Sequence, residues 1–120
     1  MARNLCDKRI TSMDNIFSIN SEIDFSREVF VELFKSNNCV IEKIISTGQS
    51  TNEGEWFEEE GDEWVILLQG TSELKFFNGE DYKMKAGDYL LIPSNSKHRV
   101  VTTSLDPPCV WLAIHIKSNI

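Results

Sequence analysis

The sequence predicts an all-β fold, a closed sandwich or barrel of eight short strands preceded by one short helix. From Cys39 onward, runs rich in Val, Ile, Leu, Phe and Thr are broken by turn residues roughly every eight to twelve positions, which is strand spacing. Asn78-Gly79 is a hairpin signal, because both central positions of the tight mirror-image turn need positive φ. Ala86-Gly87-Asp88 and Pro93-Ser94-Asn95-Ser96 supply further punctuation. Strands are expected near 39–47, 52–58, 62–69, 71–77, 81–85, 88–93, 98–104 and 109–117. Ahead of them, DFSREVFVELFK places Val29, Phe30, Leu33 and Phe34 on one face at helical spacing. A helix is therefore expected over about 25–36. Asp24 or Ser26 would cap its start, and Ser36-Asn37-Asn38 would end it.

The chain has 120 residues, the length of one domain. Residues 1–38 read as an N-terminal segment whose helix packs on a barrel formed by 39–120. Hydrophobic residues make up 41% and charged ones 26%, so a core can form without metal or disulfide staples. A formal charge of −7 argues against phosphate backbones and anionic lipid, so neither nucleic acid nor membrane is expected as a partner. Apolar runs such as Trp64 to Leu68 fall far short of the roughly 20 residues that span a bilayer. The opening MARNLCDKRI lacks an apolar signal core. Cys6, Cys39 and Cys109 form no CxxC pair and read as reduced thiols of a cytoplasmic protein. With only His98 and His115, one chain cannot supply a three-histidine metal site.

The segment DEWVILLQ is apolar on both faces. Val65 and Leu67 share the parity of Glu63, while Trp64, Ile66 and Leu68 take the other. One face would line the barrel interior, and the other would meet the helix, an N-terminal strand or a second chain. A homodimer is the economical expectation.

Two further patterns carry a family likeness. Glu63 precedes Gly70 in EWVILLQG, and Gly87, Pro93 and His98 follow in GDYLLIPSNSKH. These resemble the two motifs of the cupins, over about residues 40–117. The likeness is closest to small single-domain bacterial cupins, with IEKIISTGQ, EWFEEEGDEWV, GDYLLIP, HRVV and WLAIH as the matching stretches. It implies a double-stranded β-helix, or jelly-roll barrel, with a site inside. It does not specify a reaction. The chain departs from the family pattern where a His-x-His pair would precede the glutamate: it has Trp56-Phe57-Glu58 or Phe57-Glu58-Glu59. Asn95 and Thr102 stand where Gly and Asn are usual, and Asn95 can still adopt positive φ.

A carboxylate on an interior strand face needs a partner or a proton. In the expected fold Glu63 neighbours His98, either as a buried hydrogen-bonded pair or as two ligands of a divalent metal. For the metal, Glu58 is the expected third ligand, with Glu59 the choice under a shorter form of the motif. His115 has the parity of Trp111 and Ala113 and is a further candidate ligand, in a set suited to ferrous iron. Zn, Mn, Fe and Ni all fit such a set. Without metal, a raised-pKa Glu63 beside His98 would serve as general acid or base. Trp56, Phe57, Val65, Leu67, Leu91 and Trp111 are expected to line the pocket. The expected function is small-molecule binding; the alternative is a metal-dependent dioxygenase or isomerase acting on a small sugar or acid.

Overall fold

The computed structural model describes residues 13–117, so Cys6 and the opening MARNLCDKRI lie outside the described residues. Eight strands and no helix are found among them: β1 (Val29–Lys35), β2 (Cys39–Ser46), β3 (Asp62–Gln69), β4 (Thr71–Phe76), β5 (Asp81–Lys85), β6 (Tyr89–Ile92), β7 (His98–Thr103) and β8 (Cys109–Ile116). They form a five-stranded sheet in the order β1-β2-β8-β3-β6 and a three-stranded sheet in the order β5-β4-β7.

The expected helix over 25–36 is instead a turn followed by β1. Asp24 closes the turn by accepting the Ser26 N–H at 2.9 Å, so its carboxylate caps a turn rather than a helix. Downstream, Val29, Phe30, Val31 and Phe34 are as suited to a pleated strand as to a helix face. The edge of β2 decides between them, because antiparallel pairing from Val29↔Ile45 onward satisfies the backbone. A bulge between Glu32 and Phe34 shifts the register, which explains why the apolar spacing imitates a helix. The strand expected at 52–58 is a loop. The Glu55 N–H turns back to the Asn52 carbonyl at 3.0 Å, and Phe57 pairs with His98 only as an isolated bridge.

The core lies between the sheets and contains Val65, Leu67, Leu74, Met84, Ile92, Cys109, Trp111 and Ala113. Burying each of the large side chains stabilises the fold by about 1.5–3 kcal/mol. At the β3–β4 corner the chain must pass from one sheet to the other at close quarters. Gly70 makes the passage at φ +92°, where a Cβ would stand 2.6 Å from Ser104 Oγ and 2.9 Å from Cys109 Sγ. The preceding segment covers the outer face of β2: Lys43 Nζ donates to the Ser18 carbonyl at 2.5 Å, and Thr47 Oγ1 donates to the Phe25 carbonyl at 2.9 Å. Farther across, the outer face of β3 and β6 carries Trp64, Ile66, Tyr89 and Leu91 in adjacent register.

Candidate functional site

Strand alternation points Glu42, Ile44 and Ser46 of β2, Glu63 and Val65 of β3, and Trp111, Ala113 and His115 of β8 toward the interior. Ladder pairing sets Glu63 directly opposite His115, and Glu42 opposite Ala113 one step along. The His115 ring consequently lies among carboxylates. Its Nε2 is 2.7 Å from Glu42 Oε1, and its Nδ1 is 3.2 Å from Glu59 Oε2. Glu59 comes from the loop before β3, which is held in place from outside the strand. The Asn95 N–H donates to the Glu59 carbonyl at 2.7 Å, and the Gly61 N–H donates to Ser94 Oγ at 3.0 Å. Asn95 itself has φ 61°. Ligand-capable atoms of Glu59, Glu63 and His115 all fall within 4.8 Å of one another.

Burial pushes the Glu63 carboxyl above its ordinary range, and the neighbouring His115 opposes that rise more strongly than His98 does. Burial pulls His115 down, but its hydrogen bond to Glu42 and the fields of Glu63, Glu59 and Glu42 together raise it. A protonated ring donating one N–H to Glu42 and the other to Glu59 fits these distances in the protein alone. The same residues fit a divalent cation. Replacing the Nδ1 proton with an ion would give it one nitrogen and the carboxylates of Glu59 and Glu63. Nε2–H would still donate to Glu42, which would fix the tautomer and ring orientation.

The cavity beside these groups has a volume of about 200 Å³. His98 lines it and is only 7% exposed. Its Nδ1 is 2.9 Å from the Ser96 carbonyl, so that nitrogen carries hydrogen and donates to it. Phe57 and Phe76 flank the ring, with centroids at 6.2 and 5.8 Å.

Among the other expected site residues, Phe57, Val65 and Trp111 line the cavity. Glu58 does not, because the loop turns Glu59 toward His115 instead. His98 stands outside the three-residue group. Leu67 is fully buried in the core rather than at the cavity wall. Leu91 is 51% exposed on the outer face of β6, since Leu90 and Ile92 take the inward-facing parity. Trp56 packs edge-on against Phe77, with centroids 5.1 Å apart, and lies beneath the Arg99 guanidinium. Of the lining residues outside the sequence-based expectation, three bear on the charge and far end of the site: Glu28, Phe30 and Glu42. Glu42 was recoverable from its shared parity with Ile44 and Ser46, whereas the helical reading of β1 hid the other two.

Residues 44–115 match the cupin domain family. No curated protein matches the chain in sequence. A solved structure from Ralstonia eutropha JMP134, described as a candidate mannose-6-phosphate isomerase, is 31% identical with TM-score 0.79; the match covers 89% of this chain and 99% of that one. A cupin superfamily protein from Desulfitobacterium hafniense DCB-2 is 19% identical with TM-score 0.69, covering 81% of this chain and 84% of its own. An RmlC-like cupin from Desulfovibrio desulfuricans is 19% identical with TM-score 0.66, covering 89% and 97%. The two motif segments, the two-sheet architecture and these likenesses agree: the chain belongs to the cupin domain family.

Proposed function

We propose that this cupin binds a small organic molecule beside a divalent metal ion, with Glu59, Glu63 and His115 as the protein ligands of the metal. The observation that carries the reading is the convergence of their donor atoms within 4.8 Å at the wall of a cavity. One imidazole and two carboxylates suit Zn, Mn, Fe or Ni. When bound, such an ion supplies a Lewis acid that polarises an oxygen of the organic ligand. Glu42 orients His115, and His98 presents Nε2 from the neighbouring wall. Glu58, expected as a ligand from sequence, has no part in this reading.

Metal analysis of protein purified without a histidine tag tests it. Near-stoichiometric metal that is lost in both Glu63→Gln and His115→Ala is expected. Wild-type protein that takes up none of these ions on addition would refute it.

A second reading, a metal-dependent isomerase of a small sugar or acid, is supported by the 31% identity to the Ralstonia protein. In it, His98 would exchange protons with neighbouring carbons of the substrate, beside the metal held by Glu59, Glu63 and His115. Turnover of a screened neutral sugar by metal-loaded protein would favour it, and turnover unchanged in Glu63→Gln would count against it. A dioxygenase of the same architecture would consume oxygen instead.

We also infer a homodimer, supported by the apolar outer face of β3 and β6, where Tyr89 is 64% exposed and its ring lies 5.4 Å from that of Trp64. The cytoplasmic reading rests on the free thiols of Cys39 and Cys109.

A further inference from the structure

The cavity has a second polar end, built around Glu28. This residue stands just before β1, where the Val29↔Ile45 pairing brings it beside Ser46. Ser46 Oγ donates to Glu28 Oε2 at 2.6 Å and accepts from Trp111 Nε1 at 3.2 Å, and Ser46 is fully buried. This relay fixes one oxygen of the Glu28 carboxylate, which lines the cavity next to Phe30 and Trp111. Among the described residues, no Lys or Arg forms an ion pair with it. Glu42 and Ser46 mark the two ends along β2, about 13 Å apart at the rise of a strand. Between them the wall is apolar, with Ile44 and Trp111 adjacent in the ladder.

Charge narrows the choice of ligand. Glu28, Glu42, Glu59 and Glu63 line the cavity, and no Lys or Arg does. A divalent ion at one end offsets two of these four negative charges, leaving Glu42, which the His115 ring contacts, and Glu28 at the other end without a cation. A phosphate or carboxylate ligand would meet repulsion there. His98 independently marks the cavity as a place for a polar ligand. The ring is 7% exposed and lines the cavity, and its single hydrogen bond among the described residues uses Nδ1, so Nε2 has no protein partner.

We propose that the cavity selects small molecules bearing a protonated amine, which Glu28 receives, over uncharged and anionic molecules of the same size. This rests on the small-molecule reading above and adds the class of ligand. The ammonium donates to the free oxygen of Glu28, the rings of Phe30 and Trp111 favour the positive charge, and the alkyl portion covers Ile44.

Calorimetric or ligand-observed NMR titration with butylamine, 1-butanol and butanoate, near neutral pH, tests the proposal on metal-loaded protein. Butylammonium should bind about tenfold more tightly than butanol, and butanoate most weakly. Glu28→Gln keeps an acceptor for Ser46 and should lower amine affinity to that of butanol, with zinc affinity within about twofold of wild type. Ser46→Ala, which unseats Glu28 without removing its charge, should weaken the amine about threefold. Equal binding of amine and alcohol by wild-type protein would overturn the proposal. So would an amine preference that survives in Glu28→Gln, or failure of all three probes to bind. If the protein holds no metal yet prefers the amine through Glu28, the metal assignment fails and the ligand assignment stands.

Discussion

Glu63 and His115 face each other across the β3–β8 ladder, and the histidine ring is also 2.7 Å from Glu42. Burial raises the Glu63 carboxyl there, and a neighbouring cation opposes that rise. The cation is either the proton on His115 or a metal that takes the place of one of its protons. Stability of the protein alone and affinity for metal are thus properties of one cluster, and they respond to pH in opposite directions.

Stability of chelator-treated protein should fall as pH rises through neutrality. Folding raises His115 above its ordinary 6.5, because the Glu42 bond and the nearby carboxylates outweigh burial. Its stabilising contribution is fully present below that value and is lost as pH rises through the folded pKa. Folding raises Glu63 above 4.5 through burial, so it too favours the folded state only while protonated. Glu63→Gln should match wild type near pH 4.5 and exceed it at alkaline pH, read as thermal midpoints across a pH series. A constant offset between the two proteins at every pH would contradict the assignment.

Metal affinity should separate adjacent glutamates. Glu59→Gln is expected to weaken zinc or manganese binding by at least about tenfold, whereas Glu58→Gln, on the exposed side of the loop, should change it less than about twofold. Glu42→Gln should weaken binding about tenfold by releasing the His115 ring from its outer carboxylate. Competition titration against a chromogenic chelator measures all three. If Glu58→Gln proves as damaging as Glu59→Gln, the loop presents a different face in solution.

The sequence made the barrel legible because turn chemistry and period-two alternation agree from Cys39 onward. It also located Glu63, whose parity with Val65 and Leu67 fixes its face once β3 is known. The second carboxylate is harder to assign. Glu58 and Glu59 occupy a loop, where no period decides which one turns inward. The loop is instead oriented by distant groups, the Asn95 N–H and Ser94 Oγ. β1 was misread because a bulge between Glu32 and Phe34 places apolar residues at helical intervals. That error concealed Glu28 and Phe30, and with them the far end of the cavity.

The apolar stripe on β3 and β6 should direct self-association. Leu91 is 51% and Tyr89 64% exposed, and both are paired in register with the residues of the Trp64–Ile66 outer face. Leu91→Glu would place a charge in the centre of that stripe without touching the core. Light scattering should then report a 13.8 kDa monomer in place of a dimer for the variant. Wild-type protein that already scatters as a monomer would remove the interface.

Gly61 controls whether the acidic loop can reach the site at all. It has φ +96°, and a Cβ there would stand 2.3 Å from the Ile116 carbonyl oxygen, on the strand that carries His115. Alanine would meet both a disfavoured backbone conformation and a collision with β8, and the contact is with backbone that cannot swing away. Relief requires the loop to withdraw, which carries Glu59 away from His115 and disturbs the start of β3 just before Glu63. Gly61→Ala is therefore expected to cost about 2 kcal/mol of stability and to weaken metal binding about tenfold, although no ligand is altered. Gly79→Ala is the matched control, since its φ is +97° but a Cβ there meets nothing within 4 Å. It should destabilise by backbone strain of about 1 kcal/mol and leave metal affinity unchanged. Equal loss of metal affinity in the two variants would show that strain alone, rather than the close approach at Ile116, accounts for the effect.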